Sequence, residues 1–283
     1  MAIYIMSYYF KIEKTERLQI KDLLKGLGVT NVKYTGERAL NEDSELLWLQ
    51  TFYIPYKSTC GVVVIVEGDT IKVNINPLSS KTDYIMAIKL TKNIAKIFNS
   101  EIIYKDEENT PMSILDFETK FDEKWINLDQ KRVFSIITGM VEELGTTIEL
   151  QCCRSNFDLG PKTLKQLSIG NQNEEILFER VIKSILRVQY LDIAIIKPTL
   201  MYFGDPVKEY FSVLTIASGI QQLMSRAKYV VLVNSSTYES VQVHYELFNR
   251  YASLKFERLD ESKFIIPEIN SHEFTNLIDL FSI

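Results

Sequence analysis

Residues 61–75, GVVVIVEGDTIKVNI, constrain the fold more than any other stretch of the chain. Two β-branched runs flank Glu67-Gly68-Asp69, and the glycine supplies the positive φ that a tight turn between antiparallel strands needs. The second run alternates Ile71, Val73 and Ile75 with Lys72 and Asn74, so one face meets a core and the other meets water. A lone hairpin is marginal in water. The neighbouring segments must therefore supply further strands and a helical cover.

Upstream, residues 2–12 are rich in β-branched and aromatic types, with Ile3, Ile5, Tyr8, Phe10 and Ile12, and predict a strand. Thr15 is the expected N-cap of a helix that carries Leu18, Leu23, Leu24 and Leu27 and stops at Gly26 and Gly28. Leu46–Pro55 predicts another strand. After the hairpin, Ser80-Lys81-Thr82-Asp83 has the form of a capping box. It opens a helix with Tyr84, Ala87, Ile88, Thr91, Ala95 and Phe98 on its core face, and Glu101–Tyr104 follows as a short strand. The order β-α-β-β-β-β-α-β predicts an α+β fold, an antiparallel sheet with helices on one side.

The acidic, proline-containing segment 105–112, KDEENTPM, marks a break. The expected organisation is an N-terminal α+β domain over 1–106, a linker over 107–127 with a helical link through Trp125, and a C-terminal α+β domain over 128–283. From Leu128 onward Val133, Ile137, Met140 and Leu144 share a helical face that Gly145 ends. Thr146–Cys153 predicts a strand with Ile148, Leu150 and Cys152 inward and Glu149, Gln151 and Cys153 outward. Residues 154–173 predict a long loop, and 174–189 a helix with Phe178, Val181, Ile182, Ile185 and Val188 inward. Strands are expected at Leu191–Lys197, Thr199–Phe203, Tyr229–Val233, Leu254–Leu259 and Phe264–Pro267, with a turn at Gly204-Asp205-Pro206. Residues 236–252 carry both the strand and the helix period. Their length and the pattern Ser236-x-x-Glu239 favour a helix. Ser271–Phe281 predicts an amphipathic helix with Phe274, Leu277, Ile278 and Phe281 inward.

The three cysteines, Cys60, Cys152 and Cys153, do not form a disulfide framework, and they suit a reducing compartment. No disulfide is expected among them, and Cys152 is expected to be buried and unreactive. The apolar stretch at residues 1–10 has no basic region before it and no cleavage site, so it does not read as a signal peptide. No apolar run approaches the ~20 residues of a membrane span. A cytoplasmic protein is the expectation, and the abundance of Ile, Lys and Asn suggests a bacterial source.

The chemistry-bearing residues are sparse. With only His244 and His272, and no metal-ligand spacing, neither a zinc site nor any other metal site is expected. Ser218-Gly219 lacks the preceding glycine of a nucleophile elbow. The pair Gly26-x-Gly28 ends a helix where a phosphate loop opens one, so no nucleotide cofactor is expected. The carboxylate doublets Glu42-Asp43, Asp106-Glu107-Glu108, Asp122-Glu123, Glu142-Glu143 and Glu174-Glu175 fall in turns or helix ends, where solvation explains them. Lys89, Lys92 and Lys96 occupy a solvated helix face with no stacking platform, so nucleic-acid binding is not expected. No residue is singled out as catalytic, cofactor-binding or metal-binding.

These readings favour a protein that acts by binding another protein, of inhibitor or immunity type. The early tyrosines, Tyr4, Tyr8, Tyr9, Tyr34, Tyr53 and Tyr56, are candidate contact residues because a ring gives much area for little rotamer entropy. A net charge of -5 favours a basic partner. The alternative is an enzyme of unrecognised class, with a carboxylate- or cysteine-based site between the two halves. A structural or assembly subunit is a third reading, not separable from the first.

Overall fold

The computed structural model describes residues 8–35, 42–46, 48–104, 110–170, 173–196, 198–202 and 210–282. The chain divides into two compact units, Met1–Tyr190 and Leu191–Ile283, and the fold is α+β with mostly antiparallel sheets.

In unit 1 the chain runs through β1 (Tyr8–Glu13), α1 (Ile20–Lys25), β2 (Lys33–Thr35), β3 (Leu49–Tyr53), β4 (Val62–Glu67), β5 (Thr70–Ile75), α2 (Lys81–Phe98) and β6 (Ile102–Tyr104), the order that the sequence predicts. The strands form an antiparallel sheet of order β2-β3-β4-β5-β1-β6-β7, the last being β7 (Pro111–Met112). Strand β1 lies between β5 and β6, with Ile12 opposite both Ile71 and Ile102. The β4–β5 hairpin turns where expected. Glu67 pairs with Thr70, and Gly68 takes a φ of +55°, a region open to glycine at no steric cost. Alternate residues Val62, Val64, Ile71, Val73 and Ile75 are buried, and α2 packs on β1, β4 and β5.

Helix α2 starts at its predicted cap. The Ser80 hydroxyl accepts from the Asp83 N–H while the Asp83 side chain accepts from the Ser80 N–H, and Asn99 in the left-handed region ends the helix. Its buried face holds Tyr84, Ala87, Thr91, Ala95 and Phe98 as expected, and also Met86, Leu90 and Ile94. Helix α1 is shorter than predicted. Gln19 is extended and bridges to Glu45, and the Leu46 N–H donates to the Leu18 carbonyl, so the helix starts only at Ile20 and Thr15 does not cap it.

The expected linker is instead part of the core. Helix α3 (Ile114–Lys120) and the start of α4 (Glu123–Leu144) lie within 107–127. Phe117 and Phe121 meet Phe10 edge-on, each with ring centroids at 4.9 Å, and Phe121 meets Trp125 edge-on at 4.6 Å. Truncating a phenylalanine in such a site costs about 3–5 kcal/mol, so this segment belongs to the unit it was expected to leave. The compact division falls further on, at 190/191. The Tyr84 hydroxyl donates to Asp129 on α4 at 2.8 Å, and Gln130 donates to the Ser79 carbonyl at 3.0 Å.

After Gly145, at φ +60°, the chain forms β8 (Ile148–Leu150), β9 (Phe157–Leu159), α5 (Pro161–Ser168) and α6 (Glu174–Tyr190). The predicted loop over 154–173 thus holds a strand and a helix. Gly160-Pro161 opens α5, with proline at the position where its missing N–H costs nothing.

Unit 2 contains β10 (Ala194–Ile195), β11 (Thr199–Tyr202), β12 (Tyr210–Ala217), β13 (Gln222–Met224), β14 (Tyr229–Val233), β15 (Ser240–His244), α7 (Tyr245–Lys255), β16 (Glu257–Arg258), β17 (Phe264–Ile266) and α8 (Ser271–Phe281). One sheet has the order β11-β12-β14-β15 and the other β10-β13-β17-β16. Each contains one parallel pair, β12 with β14 and β10 with β13. Phe248, Phe274, Leu277 and Ile278 from α7 and α8 share a core with Leu214, Ile216, Val230 and Leu232. Residues 236–252, expected as helix, are a turn to Glu239, strand over Ser240–His244 and helix from Tyr245. Each period holds in its own half. Helix α7 also runs to Lys255, into the strand expected at Leu254–Leu259. Residues 2–7, 105–109 and 204–206, where strand, break and turn are expected, lie outside the described residues. Among the described residues, no helix is long and apolar enough to cross a membrane.

Candidate functional site

The chemistry in unit 1 gathers around the loop that joins β3 to β4. Residues 54–61 turn twice through the left-handed region, at Tyr56 (φ +63°) and Gly61 (φ +69°). Gly61 suits its place, since a Cβ there would lie 2.7 Å from the Phe52 carbonyl. Tyr56 does not, because a bulky side chain at positive φ costs about 1–3 kcal/mol. The loop is held from beneath. The Ile54 N–H donates to the Ser58 hydroxyl at 2.8 Å, and the Ser58 N–H donates to the Ile54 carbonyl at 2.9 Å.

The deeper anchor is Asp83, the reciprocal partner of Ser80 in the α2 capping box, which is wholly buried. Its Oδ2 accepts from the N–H groups of Thr59 (3.0 Å), Cys60 (3.3 Å) and Ser80 (3.0 Å) and from the hydroxyls of Thr59 (3.1 Å) and Ser80 (3.0 Å). One carboxylate oxygen therefore starts a helix and pins a loop. Burial holds the Asp83 carboxyl above the usual range, with the Ser58 and Ser80 hydroxyls and the backbone donors pulling the other way.

The three thiols converge here. Cys60 and Cys152 have their Sγ atoms 3.3 Å apart, although 92 positions separate them in sequence. Cys153 turns away, with its Sγ 3.6 Å from the Tyr190 hydroxyl and 3.7 Å from both the Ser58 carbonyl and Gln189 Oε1. The expected phase of this pair is inverted, since Cys153 is buried and Cys152 only partly so. The reason is local. Strand β8 ends at Leu150, and Gln189 then accepts from the N–H groups of Arg154 (2.8 Å) and Ser155 (3.0 Å), setting a turn that strand alternation does not describe. Burial pushes the Cys153 thiol up to about 12. The Cys60 thiol stands well above its ordinary value through its contact with Cys152 and its burial. All three are free thiols.

Above the thiols, Tyr56 is 76% exposed and packs on Tyr190, with ring centroids at 4.9 Å. The Tyr190 hydroxyl donates toward the carbonyls of Ser58 (3.0 Å) and Ile54 (3.3 Å), and the Arg154 guanidinium lies 5.8 Å from the Tyr190 ring. Burial and the neighbouring Cys153 keep the Tyr190 hydroxyl well above its usual value, so it remains a donor.

The other candidates have structural places. His244 is exposed at the start of α7, its ring 5.4 Å from Tyr229, and His272 is exposed in the first turn of α8. Among the described residues no group of histidine, cysteine and carboxylate side chains is arranged to hold a metal. Ser218 is buried in unit 2, where its hydroxyl donates to Asn234 (3.3 Å). Asn234 is a second anchor. Its Nδ2 donates to the Ser271 carbonyl and the Thr275 hydroxyl, both at 2.9 Å, and its Oδ1 accepts from the Ser271 hydroxyl (3.0 Å) and the Ser236 N–H (3.1 Å).

The carboxylate doublets are dispersed. Asp43 pairs with Lys21 at 2.9 Å, Asp122 caps α4, Glu123 pairs with Lys81, Glu175 pairs with Lys131 at 3.4 Å, and Glu142 and Glu143 are exposed. Asp106, Glu107 and Glu108 lie outside the described residues. Gly26 caps α1 and leaves room for Asn93, which donates to the Leu23 carbonyl at 2.6 Å. Lys89, Lys92 and Lys96 line a small cavity of about 140 Å³ with Gly26, Leu27 and Asn93, and Lys92 pairs with Glu118. Among the early tyrosines, Tyr9, Tyr34 and Tyr53 are half-buried, and Tyr56 alone of the described ones stands out into solvent. Tyr4 and the side chain of Tyr8 lie outside the described residues.

No curated protein and no solved structure matches the chain. A family model described as "Domain of unknown function (DUF4299)" matches residues 7–248, running through unit 1 and on into α7. That match covers well over half of the sequence, and the chain belongs to the DUF4299 family.

Proposed function

We propose that the protein acts by binding another protein, with Tyr56 at the centre of the contact surface. The observation that carries this reading is the state of Tyr56. It is held in the left-handed region, which tyrosine disfavours, and its ring stays 76% exposed, touching only Tyr190 among the aromatic side chains described. Strain retained at an exposed aromatic residue marks a functional position more readily than a structural one. The surroundings fit. Tyr190 and Arg154 lie beside it, and tyrosine and arginine carry much of the energy of protein interfaces. The loop backbone beneath it is already held by Ser58 and Asp83, so binding has little main chain left to order. A cytoplasmic inhibitor or immunity-type protein of bacterial origin, meeting a basic partner, is the form we favour, given the net charge of -5.

The enzyme alternative draws on the same cluster with less support. Cys60 and Cys153 hold their protons, and Asp83 Oδ2 is committed to backbone and hydroxyl donors while its Oδ1 is buried away from solvent. The test is site-specific photo-crosslinking in the source cell, with a benzophenone side chain at position 56 and at the similarly exposed Leu115 as control. The expected outcome is one discrete cross-linked protein from position 56 and none from 115. Tyr56→Ala should lower recovery of that protein, from a second cross-linking position, by about tenfold or more. Identical patterns from 56 and 115, or unchanged recovery with Tyr56→Ala, would refute the reading.

A further inference from the structure

Two of the three thiols form a pair that the binding reading does not use. Cys60 is 1% exposed at the end of the Tyr56 loop, and Cys152 lies partly buried after β8, with the two sulfurs 3.3 Å apart. The backbones on either side are already joined. The Cys153 N–H donates to the Thr59 carbonyl at 3.2 Å, and Asn76 donates to the Gln151 carbonyl at 3.4 Å. The Cys60 N–H is in turn held by Asp83. The sulfurs need to approach by only about 1.3 Å to reach bonding distance, which side-chain rotation supplies. Cys153 is directed elsewhere, toward Tyr190 and Gln189.

We propose that Cys60 and Cys152 are a reversible redox pair, which a hydroperoxide oxidises to a disulfide that staples the Tyr56 loop to the segment after β8. Cys152, the more accessible thiol, reacts first. It gives up its proton, its sulfur attacks the terminal peroxide oxygen, the O–O bond breaks, and an alcohol leaves. The product is a sulfenic acid on Cys152. The Cys60 sulfur then attacks the Cys152 sulfur, the S–O bond breaks, and the departing hydroxide takes the Cys60 proton as water. In sum, two thiols lose two hydrogens and the hydroperoxide becomes alcohol and water. A dithiol reductant reverses the bond by thiol–disulfide exchange and is itself oxidised.

The inference is independent of the binding proposal, and the test uses the full reduced chain titrated with tert-butyl hydroperoxide. Alkylation in denaturant should count three thiols before oxidation and one after, with a mass loss of two hydrogens. A peptide map should join the Cys60 and Cys152 peptides, and dithiothreitol should restore all three thiols. Closing a loop of this length should raise Tm by about 5–10 °C. Cys153→Ser should keep the bond and Cys152→Ser should abolish it. The wild-type map stands without either variant. Persistence of three thiols, arrest at a sulfinic acid on Cys152, a Cys152–Cys153 bond or a bond between two molecules would overturn the proposal. Formation of the bond with no rise in Tm would overturn the staple.

Discussion

Each unit holds an exposed tyrosine in the left-handed region, and the two are secured by opposite chemistries. Tyr56 in unit 1 rests on a carboxylate. Asp83 only accepts, so it collects the backbone donors of Thr59, Cys60 and Ser80. Tyr238 in unit 2 is 83% exposed at φ +62° and rests on an amide. Its N–H donates to the Asn234 carbonyl at 2.8 Å, and the Asn234 N–H donates to the Glu239 carbonyl at 2.9 Å. The Asn234 side chain both donates and accepts, so it ties the loop to α8 without carrying charge. A buried acceptor-only anchor couples its loop to pH, whereas a neutral donor–acceptor anchor does not. The rings differ too. Tyr56 packs on Tyr190, while at 83% exposure Tyr238 gains little from packing.

The largest expected effect comes from Asp83→Ala. It leaves the buried Thr59 and Cys60 N–H groups without their acceptor, since Ser80 keeps the Thr59 hydroxyl, and it removes the reciprocal half of the α2 capping box, so unit 1 should lose about 2–4 kcal/mol. Both tryptophans, Trp48 and Trp125, lie in unit 1, so denaturant unfolding followed by tryptophan fluorescence reads this directly. A loss below 1 kcal/mol would end the view of Asp83 as the anchor. Asn234→Ala comes next, at about 2–3 kcal/mol. It should be read as lost hydrogen-exchange protection in β14 and at the start of α8, because fluorescence does not report on unit 2.

The pH response sharpens the contrast. The Asp83 pKa is raised in the folded chain, so the folded state holds a proton that the unfolded state has released between the unfolded and folded values. Stability from this group is therefore greatest below the ordinary carboxyl range and falls as pH rises through the raised value. Asp129, also raised by burial, adds a term of the same sign. Comparing wild type with Asp83→Asn isolates the Asp83 share. The variant should show a flatter profile over that window, and equal slopes would break the comparison. The smallest effect is at the tyrosines. Tyr238→Gly relieves the backbone and should stabilise by about 0.5–1 kcal/mol. Tyr56→Gly should come out near zero, because the relief is offset by loss of the stack on Tyr190, worth about 0.5–1.5 kcal/mol. Equal gains at both positions would show that the stack contributes nothing.

Local signals in the sequence reach part of this arrangement. The capping box of α2, the β4–β5 turn at Gly68 and the span of α8 each depend on residues within one or two turns of chain, and all three are legible. The Asp83 anchor is half legible. The Ser80–Asp83 spacing announces the cap, but nothing local says that the same oxygen also serves Thr59 and Cys60, 24 and 23 positions away. The thiol pair is illegible for the same reason, as only the tertiary fold brings Cys60 to Cys152. The inverted phase of Cys152 and Cys153 shows where alternation stops being informative, since the β8 strand ends before it reaches them. Helix α5 was within reach of the sequence. Gly160-Pro161 is a start signal, and Thr163 and Leu164 are buried as a short amphipathic turn requires.

The place of β1 between β5 and β6 has a consequence for synthesis. Its register sets Ile12 against Ile102, about 90 residues further along, and ribosomes add roughly 5–20 residues per second. Strand β1 therefore emerges some 5–20 seconds before its second neighbour exists. Over that interval one edge of an apolar strand, with Phe10 and Ile12 on its core side, has no partner in its own chain. Unpaired edges of this kind are where nascent chains join one another. Yield of folded protein should therefore depend on elongation rate and chaperone supply more than the stability of the finished sheet suggests.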